Sequence, residues 1–296
     1  MGKIYDGIMG LVVGDALGVP FEFRKRDTFK AEKMTGYGTY NQPPGTWSDD
    51  SSMTLATVAS MGRTGKIDPA DIMHNFFLWL DDGAYTPYGS VFDVGGSTRK
   101  AIFRYANGTE PLKCGGKTRM DNGNGALMRI LPLAFIPHTA QDVLRVGKLT
   151  HAHEISQTAC RLYVYLAEKL IKGTPIKNAI CSLAYLPPVT QMDEFKRIAY
   201  IGELNRDEIR SSGYVVDTLE AALWCLWTTN TYKDCMLTAV NLGEDTDTVA
   251  AVAGGLAGIV YGCGGKSGIP TRWINQIARK EWIQMLCENF ENKFSK

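Results

Sequence analysis

Gly243-Glu244-Asp245-Thr246-Asp247-Thr248 leads without a break into Val249-Ala250-Ala251-Val252-Ala253-Gly254-Gly255-Leu256-Ala257-Gly258. The second half has helical period, with Val249, Ala253, Leu256 and Val260 on one face. The rest of it is almost all alanine and glycine. A helix that is apolar all round and built of small residues belongs at the centre of a fold, where neighbours approach closely. The first half sets acids and hydroxyls at the mouth of that helix. Carboxylates beside a buried helix are costly unless something compensates their charge.

The same period recurs along the chain. Ile72, Met73, Phe76, Phe77 and Leu80 share a face, with Asp68 as N-cap and Pro69 at the first helical position. Ile155, Ala159, Leu162, Leu166 and Leu170 follow the pattern, and Gly173 closes that segment. Val216, Leu219, Leu223, Leu226 and Trp227 form another such face. The last long segment carries Trp273, Ile274, Ile277, Trp282 and Leu286. No run of strict alternation is bounded by hairpin turns. The expected fold is all-α, a compact multi-helix domain over residues 1–296, with no internal repeat or linker. Glycine-rich irregular stretches at 36–48, 83–97, 113–125 and 262–272 are where polar chemistry concentrates.

Composition narrows the function. The formal net charge is +1, so no basic excess points to nucleic acid. The seven cysteines are odd in number and form no Cys-x-x-Cys pair, which argues against a disulfide framework and a thiolate zinc site. Reduced thiols fit a cytoplasmic protein. The apolar run from Ile8 to Val19 is interrupted by Asp15 and lacks a basic leader and a cleavage site, so it is not read as a signal peptide. No window is expected to span a membrane without polar breaks.

A second acidic cluster, Thr46-Trp47-Ser48-Asp49-Asp50-Ser51-Ser52-Met53, also opens a helix. Capping is the ordinary use of such residues, because acids favour the positive end of the helix dipole. One residue suffices for a cap, and each cluster offers three or more. Their donors are hard oxygens, which suit Mg²⁺ or Mn²⁺ rather than zinc. Four aspartates could share two ions. Asp93 sits between apolar residues and is followed by Gly95 and Gly96, which permit close ligand approach. Asp121-Asn122-Gly123-Asn124-Gly125 could present N–H groups to a diphosphate, though a plain Asn-Gly turn is the commoner use. Gly265-Lys266-Ser267 and Gly116-Lys117-Thr118 lack the first glycine of a phosphate loop. The histidines alone carry little weight, with capping or surface roles commoner than metal ligation.

Taken in order, the segments resemble the ADP-ribosylglycohydrolase family, with most likeness to its nitrogenase-linked, arginine-directed branch. The resemblance runs from Gly7 to Gly262. It rests on Gly14-Asp15-Ala16-Leu17-Gly18 with Glu22, Ser48-Asp49-Asp50, Asp93-Val94-Gly95, Gly123-Asn124-Gly125-Ala126 with Met128-Arg129, Thr150-His151-Ala152-His153, Tyr214 to Thr218, and Asp245-Thr246-Asp247-Thr248.

This likeness implies an orthogonal helical bundle with two divalent cations, Mg²⁺ or Mn²⁺, on Ser48, Asp49, Asp50, Asp245, Asp247 and Thr248. It implies a catalytic Asp93, and Glu22 on a mobile flap as the acid used by serine-directed relatives. Gly95, Gly96, Gly123, Asn124, Gly125, His151 and Tyr214 fall where an ADP-ribose cleft is lined. The sequence departs from the pattern at Ser48, where threonine is common. Gly96 replaces an asparagine, and Glu244 replaces a glycine and should add an acid beside the metals. The expected activity is removal of ADP-ribose from modified arginine side chains of a protein substrate, by a monomer that needs neither nucleic acid nor membrane. The rivals are hydrolysis of O-linked ADP-ribose, from serine, polymer or O-acetyl-ADP-ribose, and a non-catalytic binding or structural role.

Overall fold

The computed structural model describes residues 2–294, so the ends of the expected 1–296 domain lie outside the described residues. The α-helices are α1 (Lys3–Gly18), α2 (Asp49–Thr64), α3 (Pro69–Asp82), α4 (Gly96–Ala106), α5 (Ala140–Gly147), α6 (Glu154–Ile171) and α7 (Ile176–Leu183). There follow α8 (Pro187–Gln191), α9 (Val215–Thr228), α10 (Tyr232–Val240), α11 (Thr246–Tyr261), α12 (Thr271–Ile274) and α13 (Lys280–Phe294). Among the described residues there is no strand, only isolated bridge pairs such as Gly123 with Tyr214. The fold is all-α, as the periodicity predicts.

The centre is an antiparallel pair, α1 against α11. A Cβ on Gly10 would lie 2.3 Å from Gly254 O, and one on Gly14 2.1 Å from Ala250 O. One on Gly18 would lie 2.3 Å from Asp247 Cα. Nothing larger than hydrogen fits along this seam. The small residues of α11 thus let two backbones meet, and the C-terminal end of α1 abuts the acidic N-terminus of α11. Gly14→Ala is expected to cost about 1–3 kcal/mol through overpacking. A thermal melt checks this, and an unchanged midpoint would contradict the close-packed seam.

The start of α2 explains why a buried acid is tolerated in an apolar helix. Asp15 accepts from Ser48 N at 2.9 Å, Ser51 N at 3.0 Å and Ser51 Oγ at 2.5 Å. It thereby ties the first turn of α2 to α1. The 3₁₀ turn Val19–Phe21 continues α1, and the combined Lys3–Phe21 segment is, by length and composition, long and apolar enough to cross a membrane, although Asp6 and Asp15 break it. Its most apolar window is 89% buried inside the fold, which accounts for that composition.

Two expectations are corrected. The last long helical segment is two helices, because Arg279 adopts a left-handed φ of 50° between them. Its guanidinium stacks on Trp282, 3.8 Å from the ring centroid, and donates to Thr86 O at 2.8 Å. Irregular structure is also more extensive than the glycine count indicates. Residues 22–37 are mostly loop with a few turns and bends, and residues 192–214 are 3₁₀ turns joined by loops.

Candidate active site

The N-termini of α2 and α11 converge. Ser48 is the N-cap of α2, and its Oγ accepts from Asp50 N at 3.3 Å, so capping is part of its role. Asp245 is the N-cap residue of α11, yet its side chain accepts no N–H of the helix. Its Oδ2 instead accepts from Asn124 Nδ2 at 2.8 Å. Asp50 Oδ2 accepts from Ser48 Oγ at 3.1 Å and from Thr248 Oγ1 at 3.2 Å, which joins the two clusters.

The cluster is short of positive charge. Asp50 Oδ1, Asp245 Oδ1, Asp247 Oδ2 and Glu22 Oε2 are buried with no hydrogen-bond partner. Carboxylate oxygens of Asp15, Asp50 and Asp247 come within 4.8 Å of one another, and so do those of Glu22, Asp93 and Asp247. Burial first, then neighbouring carboxylates, holds Asp49, Asp50 and Asp247 well above the usual carboxylate range. Burial and the Asp93 charge push Glu22 up to about 9. Buried carboxylate oxygens without donors are rare because they are expensive. Converging hard oxygens of this kind fit divalent cations. Asp247 belongs to both groups and stands between them.

A cleft of about 380 Å³ opens onto this cluster. Glu22, Asp49, Asp93, Asp245 and Thr248 line it together with Gly95, Gly96, Gly123, Asn124, Gly125 and His151. Ser48, Asp50 and Asp247 do not line it and are fully or almost fully buried. Tyr214 is not part of the wall. Gly213 takes that place, and Tyr214 stands one residue on, bridged to Gly123. A larger groove of about 550 Å³ beside α6 and α8 contains a single acid, Glu168, and no such cluster.

Several expectations change in detail. The N–H of Asn124 is already taken by Gly213 O at 3.0 Å, so it cannot hold a diphosphate. The Asn124 side chain divides between Thr218 Oγ1 at 2.9 Å and Asp245, which makes it a support for Asp245 as well as part of the wall. Glu244 adds no acid to the cluster. Its φ of 61° turns its side chain out to solvent, while its backbone pairs with Phe23 and Arg24. Glu22 is 5% exposed and faces Asp93. His153 is the N-cap of α6, accepting from Ile155 N at 3.3 Å.

Sequence reasoning missed Asp15 and Tyr40 as parts of the site. Asp15 was legible as an acid inside an apolar helix, which demands a partner. Tyr40 gave no such signal. Its hydroxyl donates to Asp93 Oδ1 at 2.7 Å, and its ring packs 5.0 Å from that of Phe92. Asp93 itself has a left-handed φ of 51°, a strained conformation that the surrounding contacts must hold.

The profile of the ADP-ribosylglycohydrolase family matches residues 1–296. The chain is 34% identical over 300 residues to the ADP-ribosylarginine hydrolase Tri1 of Serratia proteamaculans (strain 568), covering 97% of this chain and 78% of that protein. It is 36% identical over 282 residues to the ADP-ribosyl-[dinitrogen reductase] glycohydrolase of Rhodospirillum rubrum, covering 92% and 89%. A solved chain described as an ADP-ribosylglycohydrolase-related protein complex superposes with a TM-score of 0.82 at 30% identity, covering 98% of this chain and 97% of that one.

Proposed function

The chain belongs to the ADP-ribosylglycohydrolase family, and from that premise we propose that it hydrolyses the N-glycosidic bond between ADP-ribose and an arginine side chain of a protein. The observation that carries this reading is the set of partnerless buried carboxylate oxygens where two helix N-termini meet a glycine-walled cleft. Ser48, Asp49, Asp50, Asp245, Asp247 and Thr248 would hold two divalent cations, Mg²⁺ or Mn²⁺. Cations there would supply Lewis acidity toward ribose hydroxyls and an attacking water.

The chain's own groups do the rest. Cleavage develops positive charge at the anomeric carbon. Asp93, oriented by the Tyr40 hydroxyl, faces the cleft as general acid or base toward a ribose hydroxyl or the departing guanidine. The carboxylates of Glu22 and Asp93 offer a cationic guanidinium a negative field. Asn124 keeps Asp245 in place, and Gly95, Gly96, Gly123 and Gly125 let the nucleotide approach the backbone.

The expected partner is an ADP-ribosylated protein, with ADP-ribose as product, and no nucleic acid or membrane takes part. The protein would act as a monomer of one domain. Its compartment would be the reducing cytoplasm, a reading supported by seven free cysteines.

A second reading has one observation in its favour. Glu22 is buried beside Asp93, where it could serve an O-linked substrate. Initial rates on arginine-linked and serine-linked ADP-ribosyl peptides separate the two. The expected result is efficient cleavage of the arginine linkage and poor cleavage of the serine linkage. The reverse order would shift the main role to Glu22, and turnover of neither would favour a binding or structural member.

A further inference from the structure

Arg129 is fully buried, and among the described residues no carboxylate pairs with it. Its guanidinium lies over Phe76, 4.6 Å from the ring centroid. Its two terminal nitrogens donate weakly to Val146 O at 3.4 Å, and Nη2 donates to Thr150 Oγ1 at 2.7 Å. Burial pulls its pKa down to about 10, which leaves it charged at neutral pH. A buried cation without a counter-charge is expensive. Neither the fold nor the proposed chemistry uses it so far.

The hydrogen-bond polarity gives it a use. A guanidinium only donates, so the Thr150 oxygen must accept. The Thr150 hydroxyl proton then needs its own acceptor at a fully buried position. Among the described residues the partner at hydrogen-bond distance is His151 Nδ1, 2.8 Å away. Leaving that proton unused would be costly. Nδ1 therefore keeps its lone pair, and the ring proton sits on Nε2.

The His151 backbone is held on both sides: its amide N–H donates to Gly147 O at 3.1 Å, and its carbonyl accepts from Gln157 Nε2 at 2.5 Å. Its Nε2 faces the cleft wall, 3.5 Å from where a Cβ on Gly123 or on Gly125 would stand. Either side chain would cover that nitrogen. Burial and the Arg129 charge also push His151 down to about 3, against the weaker pull of Asp121.

We propose that Arg129 and Thr150 are positioning residues that fix His151 as a neutral Nε2–H donor for an anionic phosphate oxygen of the bound nucleotide. The claim rests on the ADP-ribose reading above for its ligand. The Nε2–H opens on the glycine wall of the cleft with the Arg129 charge behind it through Thr150, a setting suited to the diphosphate.

The test uses the whole ¹⁵N-labelled protein and free ADP-ribose. In the wild type, His151 should show a pyridine-like Nδ1 and a pyrrole-like Nε2, unchanged across neutral pH. Thr150→Val should lose that fixed tautomer and weaken ADP-ribose binding by about tenfold in calorimetry. Thr150→Ser, which restores the hydroxyl, should recover both. A protonated Nδ1 in the wild type overturns the proposal, even if Thr150→Val does not fold. So does a folded Thr150→Val protein that binds ADP-ribose with wild-type affinity. Hydrolysis is not among these readouts, so loss of the arginine-hydrolase reading and loss of this one are told apart.

Discussion

Asp247→Ala is expected to lose both bound cations and all measurable hydrolysis. Asp247 is fully buried, one of its oxygens has no partner, and it alone belongs to both carboxylate groups. Removing it takes a shared ligand from the middle of the cluster. The wild type should be stabilised by Mg²⁺ or Mn²⁺ through mass action, by about 2.7 kcal/mol when the ion is at a hundred times its Kd. In Asp247→Ala that stabilisation should vanish. Elemental analysis, melts with and without cation, and hydrolysis assays read the three consequences. A variant that keeps two ions per chain would remove Asp247 from the metal site.

Asp93→Asn is expected to lower turnover by on the order of a hundredfold or more, the usual scale for a general acid–base group. Asparagine keeps the shape and can still accept from Tyr40, whose hydroxyl bonds Asp93 Oδ1 at 2.7 Å. Metal content and ADP-ribose affinity should therefore hold. The structure makes the distinction worth testing, because an Asp93 oxygen comes within 4.8 Å of carboxylate oxygens on Glu22 and Asp247. Near wild-type hydrolysis would remove Asp93 from catalysis. Loss of the ions would move it into the coordination set.

The acidic clusters were legible because both defied an ordinary explanation. Capping uses one side chain, and the structure shows Ser48 doing that while Asp50, Asp245 and Asp247 each keep a buried oxygen without a partner. The small-residue helix was legible as central because only glycine and alanine permit the contact that Gly10 and Gly14 make with α11.

What escaped notice was set by tertiary pairing. Tyr40 sits in a loop whose sequence says nothing of Asp93, 53 positions away. Nothing in the sequence around Arg129 signals burial, and only the fold shows it enclosed beside Thr150. Adjacency puts the Glu244 acid beside the metals, but its own left-handed φ turns the side chain away. The break at Arg279 was hidden because its flanking apolar residues keep helical spacing across the turn.

The central claim is that these clustered acids hold the cations required to hydrolyse an ADP-ribosyl–arginine bond. Release of ADP-ribose from an arginine-linked peptide, followed as Mg²⁺ or Mn²⁺ is titrated into chelator-stripped protein, tests it most directly. The account predicts no release by the stripped protein and recovery of hydrolysis as the ions are added. Full activity in the stripped protein, or none at saturating metal, would contradict it.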